Sequence, residues 1–227
     1  RFFLRGQRHM ANATLDVDAE LYASDNKSSI RIAWQGDKPN VPKGSVTAHG
    51  LTYKDDAGMQ AYRADIEPST ILVGDTLWYI QPGSVDFRKG RLTVKNVGAY
   101  SEGRYVKVNG YASRDVKDTL VAQLKDIDVA YVLGLVNFHS VEFDGQASGS
   151  VWVSNVFSSP KGNGDLSVRD FAFNGANLGA LTALAEYGQH SKAITLNATI
   201  ADPANDHLTR IDGAIGLDRK TWYGLDL

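Results

Sequence analysis

The 227-residue chain has no cysteine, only six prolines and two methionines. The missing thiols exclude disulfide bonds, thiolate metal sites and cysteine nucleophiles. No apolar run in the sequence approaches the roughly eighteen residues that a membrane-spanning helix needs. The chain also lacks an excess of one charge, because 24 basic and 26 acidic residues leave a formal net charge of −2. We therefore expect no nucleic-acid partner.

Glycine and apolar residues are plentiful. The 22 glycines exceed the roughly 16 that average composition would give, and the apolar share of 43% is sufficient for a packed core. Apolar and polar residues alternate through most of the chain, for example over Leu15–Leu21 and Ile194–Ile200. Successive side chains of a strand point to opposite faces, so this alternation predicts strands with one apolar face.

The spacing of these segments predicts an all-β fold. We expect an elongated, strongly curled antiparallel or mixed sheet that forms a taco-like groove, with at most one or two short helices. Ile127–Val136 is the first helix candidate, whereas we predict a strand over Gly179–Tyr187 and a turn at Lys161–Gly164. The alternative is a β-sandwich, in which the same apolar face is buried against a second sheet.

The sequence also resembles itself at irregular intervals. Gly90–Asn96 matches Gly164–Asp170 in character, and Gly110–Leu124 matches Gly213–Leu227. The offsets differ, which is not typical of a fixed-period solenoid. We therefore predict that residues 1–227 are a fragment of one repetitive β-groove domain, with a candidate sub-boundary near residues 37–44. A first residue other than Met and an end within an alternating segment lead us to expect a longer parent protein.

Few helices are predicted that could cover the apolar face, so we expect it to remain accessible as a trough. Such a trough would suit acyl chains, since each buried methylene contributes about 0.8 kcal/mol. The candidate wall residues share an apolar character at alternating positions and are Ile30, Ile32, Trp34, Val85, Phe87, Leu92, Val94, Val106, Val108, Leu120, Leu124, Val151, Val153, Leu166, Val168, Phe171, Phe173, Ile194, Leu196, Ile200, Ile215, Leu217, Leu225 and Leu227.

Constellations that could support catalysis are weak. The five histidines never occur as a pair at metal-ligand spacing. Asp16 with Asp18, and Asp126 with Asp128, are carboxylate pairs that solvated strand faces also produce, and Asp202–His207 has the composition of a turn. No nucleophile elbow or phosphate-binding loop is present. We predict that the protein is not an enzyme and has no catalytic residue, metal or cofactor.

Aromatic residues leave several roles open. Four tryptophans and ten tyrosines could form a carbohydrate-binding platform, a rim near lipid headgroups, or simply large core residues with a polar end.

The order of several short motifs resembles a known family. These motifs are Val108–Gly110, Leu124–Asp128, Phe143–Gly149, Gly164–Val168, Lys192–Leu196 and the Asp202-Pro203 turn. In this order they resemble the C-terminal half of TamB-type translocation and assembly module proteins of the AsmA-like superfamily, in the Bacteroidetes form. The resemblance is strongest over residues 105–227.

The resemblance implies a location and a function. Such proteins are anchored in the inner membrane by an N-terminal helix and cross the periplasm as a long sheet folded into a hydrophobic groove. They are thought to transport phospholipids between the inner and outer membranes, and they act with an Omp85-type outer-membrane partner in outer-membrane biogenesis and protein secretion. By analogy, this chain would bind phospholipid acyl chains in the periplasm of the cell envelope, and the anchor would lie outside it.

Two alternatives remain at the level of sequence. The sheet edge could template strands of outer-membrane proteins by strand addition. A compact β-sandwich could instead act as a glycan-binding or adhesin-like domain.

Overall fold

The computed structural model describes residues 1–10, 13–37, 43–73, 75–130, 142–188, 193–202, 207–216 and 224–226. Nearly all of these residues lie in β-strands, and the paired strands run antiparallel, so the predicted all-β class is confirmed. Within these ranges no helix has the length and apolarity required to span a membrane. The chain forms two compact units, residues 1–102 with 107–111 and residues 103–106 with 112–227.

The first unit contains nine complete strands. They are β1 (Phe2–Met10), β2 (Ala13–Ser24), β3 (Lys27–Gly36), β4 (Lys43–Lys54), β5 (Gln60–Ile66), β6 (Ser69–Val73), β7 (Thr76–Ile80), β8 (Gly83–Arg88) and β9 (Arg91–Ser101). The next strand, β10 (Arg104–Ala112), contributes residues to both units. The region near residues 37–44 lies between β3 and β4, which pair with each other along most of their length.

Two pairs of short strands divide the middle of this sheet. β4 pairs with β5 over Ala48–Lys54 and with β6 at Lys43 and Gly44. β5 then pairs with β8, and β6 pairs with β7. Both β7 and β8 pair with β9, so the two branches of the sheet meet again at that strand. The break between β5 and β6 contains Pro68, which has no N–H group to donate to a ladder.

The second unit is a sequential antiparallel meander. Its strands are β11 (Thr119–Asp128), β12 (Phe143–Ser154), β13 (Lys161–Phe173), β14 (Ala176–Gly188), β15 (Ala193–Asp202), β16 (His207–Gly216) and β17 (Gly224–Asp226). Each strand pairs with the next in the chain. Within each unit the described strands form one continuous ladder, as expected for a curled sheet and unlike the two separate sheets of a sandwich. The taco-like closure stays a prediction.

Tight turns explain why successive strands are neighbours. Lys89 and Gly90 have φ values of 51° and 72°, and Asn174 and Gly175 have φ values of 48° and 78°. Two-residue hairpins with positive φ at both positions match the right-handed twist of the strands that they join.

The turn predicted at Lys161–Gly164 is wrong, because these residues open β13. Of their two glycines, Gly164 lies at a close approach between strands. A Cβ atom at Gly164 would lie 3.1 Å from Val151 Cγ2, so a small residue suits this position within the sheet.

The predictions over the two candidate helices have different outcomes. Gly179–Tyr187 is a strand, as predicted, and lies within β14. Over the other segment, β11 continues to Asp128 and a helical segment begins at Val129 and Ala130. The rest of the predicted helix lies outside the described residues.

Candidate functional site: the apolar faces of the sheet

The register of β1–β5 places apolar side chains in rows on one face. Residues directly opposite each other in an antiparallel pair point to the same side of the sheet. One row runs Phe2–Leu21–Ile30–Ala48–Ile66 and the next runs Leu4–Ala19–Ile32–Val46. With strands spaced about 4.8 Å apart, the first row crosses roughly 19 Å of sheet. We call these rows, with the neighbouring apolar residues that they align, the first apolar face.

Much of the first apolar face is open to solvent over β1–β3. The exposed fractions are 62% for Phe2, 62% for Leu4, 41% for Leu21, 42% for Ile30 and 40% for Ile32. A strand face that packed against a second layer would leave such side chains almost fully buried. This part of the sheet therefore presents a contiguous apolar surface.

Seven of the predicted wall residues belong to the first apolar face, and the pairings of β3–β5, β8 and β9 align them. They are Ile30, Ile32, Trp34, Val85, Phe87, Leu92 and Val94. Their environments differ, because Phe87 is 37% exposed whereas Val94 is buried. Phe2, Leu4 and Leu21 complete the face but were absent from the predicted set. The alternation over Leu15–Leu21 contained the signal for Leu21.

The second unit has an apolar face of its own. Its central row runs Leu124–Gly149–Leu166–Ala183–Ala198–Ile211 across β11–β16. The adjacent row runs Ile127–Ala147–Val168–Leu181–Ile200. We call these rows, with the apolar residues aligned beside them, the second apolar face.

One end of the second apolar face is a packed core. Ala147, Val168, Phe171 and Ile200 are 3%, 3%, 7% and 6% exposed and form one cluster. Phe143 stacks on Phe171 with ring centroids 5.8 Å apart. These side chains contact their neighbours rather than solvent, so Val168, Phe171 and Ile200 form a packed core in this structure.

The remaining wall residues of the second unit are more exposed or only partly described. Leu120, Leu124, Val153, Leu166, Ile194 and Leu196 are half-buried on the second apolar face, whereas Val151 and Phe173 are 45% and 38% exposed. The backbones of Ile215 and Leu225 lie in β16 and β17, and Leu217 and Leu227 lie outside the described residues.

Two predicted wall residues lie on β10. Val106 is 38% exposed and Val108 is half-buried.

The opposite face of the first unit is polar and internally paired. Arg5 Nε lies 2.7 Å from Asp18 Oδ1, and the Gln7 amide donates a hydrogen bond to Asp16 Oδ1 at 2.7 Å. These residues help to line a cavity of about 880 Å³ on this face. The carboxylate pair at Asp16 and Asp18 is thus used in cross-strand contacts typical of a solvated strand face.

Charged pairs continue along this polar face. Arg63 lies 2.7 Å from Asp65 and lowers the pKa of that carboxyl group through a hydrogen bond and opposite charge. The Tyr53 hydroxyl donates to Asp86 at 2.6 Å, which raises the tyrosine pKa. The Tyr53–Asp86 bond joins β4 to β8 across β5, whereas the Arg63–Asp65 pair lies within β5.

A charged pair of the second unit lies beside Ser148, which points away from the apolar face. Asp126 accepts a hydrogen bond from Arg169 at 2.7 Å and its backbone N–H donates to Ser148 Oγ at 2.9 Å. The Asp126 carboxylate therefore has a structural role in joining β11 to β13. Over the described ranges, no group of three metal-ligating side chains occurs.

Comparisons with known proteins add no further constraint. No family model, curated protein or solved structure matches this chain.

Proposed function

We propose that the first apolar face binds phospholipid acyl chains as part of an envelope protein of the TamB type. The observation that carries this proposal is the exposure of 40% or more at five aligned apolar residues of β1–β3. A solvent-exposed apolar sheet face of this kind is expected to contact another apolar surface. The sequence resemblance to a lipid-transport family supports the choice of an acyl chain as that partner.

The distribution of charge is compatible with an amphipathic ligand. On this part of the sheet the side chains that alternate with the apolar rows include Arg5, Asp18 and Arg31, so these three charges lie on the reverse side. The lipid headgroup would stay at the solvent-exposed edge of the face, and the acyl chains would lie on the apolar rows. The apolar face would bind the acyl chains through the hydrophobic effect, which contributes about 25 cal/mol per Å² of apolar surface removed from water. This binding needs no specific polar contact.

Site-specific crosslinking tests the proposal. A benzophenone amino acid at Ile32 should crosslink to phospholipid from vesicles of phosphatidylethanolamine and phosphatidylglycerol, and mass spectrometry of the denatured protein should detect the adduct. The same photoreactive group at Arg31 provides the matched control, because this next residue of β3 points to the opposite face. Equal adducts at both positions, or none at Ile32, would contradict the proposal.

A charge on the face provides the second measurement. Ile32→Asp should reduce bound phospholipid at least about tenfold, because an unpaired carboxylate is costly to bury under acyl chains. Ala33→Asp places the same charge on the reverse side and should leave binding unchanged. Circular dichroism would check that both variants fold, and Leu4→Asp, at the most exposed part of the face, replaces Ile32→Asp if that variant does not.

A further inference from the structure

A pair of tyrosines stands on the polar side of the first unit. Tyr79 of β7 and Tyr100 of β9 are directly opposite each other in the ladder. Their ring centroids are 5.4 Å apart with an interplanar angle of 25°, and each residue is 43% exposed. The two rings therefore support each other and still offer aromatic surface to solvent.

The pocket beside this pair is lined by uncharged residues. It has a volume of about 520 Å³, which falls within the roughly 300–1,000 Å³ usual for ligand sites. The polar side chains that line it include Thr70, Gln81 and Asn96, and Pro68 and Pro82 add apolar surface. None of its lining residues is charged, although 22% of the chain is.

The backbone around the pocket is held by the sheet. Thr70 is the direct partner of Tyr79 in the β6–β7 hairpin. The Gln81 N–H donates to Gly98 O at 3.0 Å, and the Asn96 N–H donates to Asn109 Oδ1 at 2.7 Å. Anchored positions of this kind reduce the ordering cost of binding.

We propose that this pocket, which we call the tyrosine pocket, binds an uncharged glycan. A pyranose ring presents an apolar C–H surface that can lie on an exposed tyrosine ring, and its hydroxyl groups both donate and accept hydrogen bonds. The amides of Gln81 and Asn96 and the Thr70 hydroxyl offer both functions too. An ionic ligand would find no counter-charge in the lining.

The geometry favours a sugar over a proline-rich peptide. Polyproline segments dock in grooves lined by aromatic side chains. Here the two rings stack on each other at 5.4 Å, so no gap remains between them for a proline ring. A sugar needs only the outer ring surface.

Binding can be measured with three uncharged probes, chitotetraose, maltotetraose and cellotetraose. Saturation-transfer NMR on the complete chain should show transfer to at least one of them, and titration should give a Kd of about 1 mM or tighter. Tyr79→Leu and Tyr100→Leu should weaken that binding at least tenfold, because leucine keeps the apolar volume but removes the flat ring. Tyr100→Phe should retain most of it.

The control is Tyr22→Leu, which removes an exposed tyrosine of β2 in the same unit and should leave binding unchanged. Should either tyrosine-pocket variant fail to fold by circular dichroism, comparison of Gln81→Ala with wild type replaces it. The proposal is overturned if none of the three sugars binds, or if binding survives both leucine variants. It is also overturned if decaproline binds and the same variants abolish that interaction.

Discussion

At the scale of single residues, Asp55 illustrates how a turn fixes a charge. Its Oδ1 accepts hydrogen bonds from the N–H groups of Met59 and Ala57, both at 2.9 Å, and Lys89 Nζ lies 3.6 Å from Oδ2. The bonds from the backbone, together with the positive charge of Lys89, hold the pKa of Asp55 below its usual range, although burial opposes them. The ionised carboxylate thus stabilises the β4–β5 hairpin.

This lowered pKa has a direct consequence for stability in acid. The unfolded chain takes up the Asp55 proton near pH 4, before the folded chain does, so the stabilisation is complete above that pH and is lost as the pH falls through the folded pKa. The urea midpoint should therefore fall less between pH 7 and pH 3 in Asp55→Asn than in wild type. Asp56→Asn, an exposed neighbour, should behave like wild type. Identical acid dependence in all three proteins would contradict this role.

The direction of side chains could be predicted at this scale, whereas their exposure could not. The period of two placed Ile30, Ile32 and Val168 on apolar faces, as the strand register shows. Exposure depends on what lies over each face, so Ile32 is 40% exposed while Val168 is 3% exposed. No local pattern distinguishes these two positions.

At the scale of elements, glycines set how closely neighbouring strands pack. A Cβ atom at Gly149 of β12 would clash with the carbonyl oxygen of Asp165 on β13. At Gly162 the nearest atoms are 3.5 Å from such a Cβ, an ordinary contact. Close approach is therefore required at one glycine and not at the other.

Alanine substitutions should separate these two glycines. Gly149→Ala should lower the free energy of unfolding by about 1–3 kcal/mol, the usual cost of overpacking. Gly162→Ala should change it by less than about 1 kcal/mol in either direction. Urea denaturation measures both, and equal losses would show that the β12–β13 approach is not a constraint.

Strands could be predicted from sequence where apolar and polar residues alternate regularly. Alternation identified β2, β3 and β15, whereas the glycine-rich start of β13 was read as a turn because sequence does not distinguish a turn glycine from a close-contact glycine. The splitting of the middle of the sheet into β5 with β6 and β7 with β8 depends on pairings between distant segments. For the same reason the contact of Tyr79 with Tyr100 could not be found from sequence.

At the scale of the whole molecule, each unit has its own set of strand contacts. The second unit has a packed cluster around Phe171, whereas the first unit exposes much of its apolar face. The all-β class followed from composition and period, but this difference in burial did not, since both halves have the same alternating pattern. The proposed lipid site follows from this contrast, because it uses the exposed apolar face of the first unit.

Removing a core side chain of the second unit should destabilise mainly that unit. Phe171→Ala should cost about 3–5 kcal/mol, and Phe173→Ala less than half as much, because Phe171 is 7% exposed and Phe173 is 38% exposed. Hydrogen exchange should show reduced protection in β12–β15 of Phe171→Ala, while β2–β4 retain theirs. An equal loss in both regions would indicate that the units unfold as one.

The meander of the second unit has a consequence for how its length can change. Because each strand from β11 to β17 pairs with the next in sequence, a duplicated hairpin could be inserted without rethreading any other segment. Two added strands would restore the original chain direction, and their alternating residues would continue both surfaces. The width of such a sheet can thus increase in steps of one hairpin.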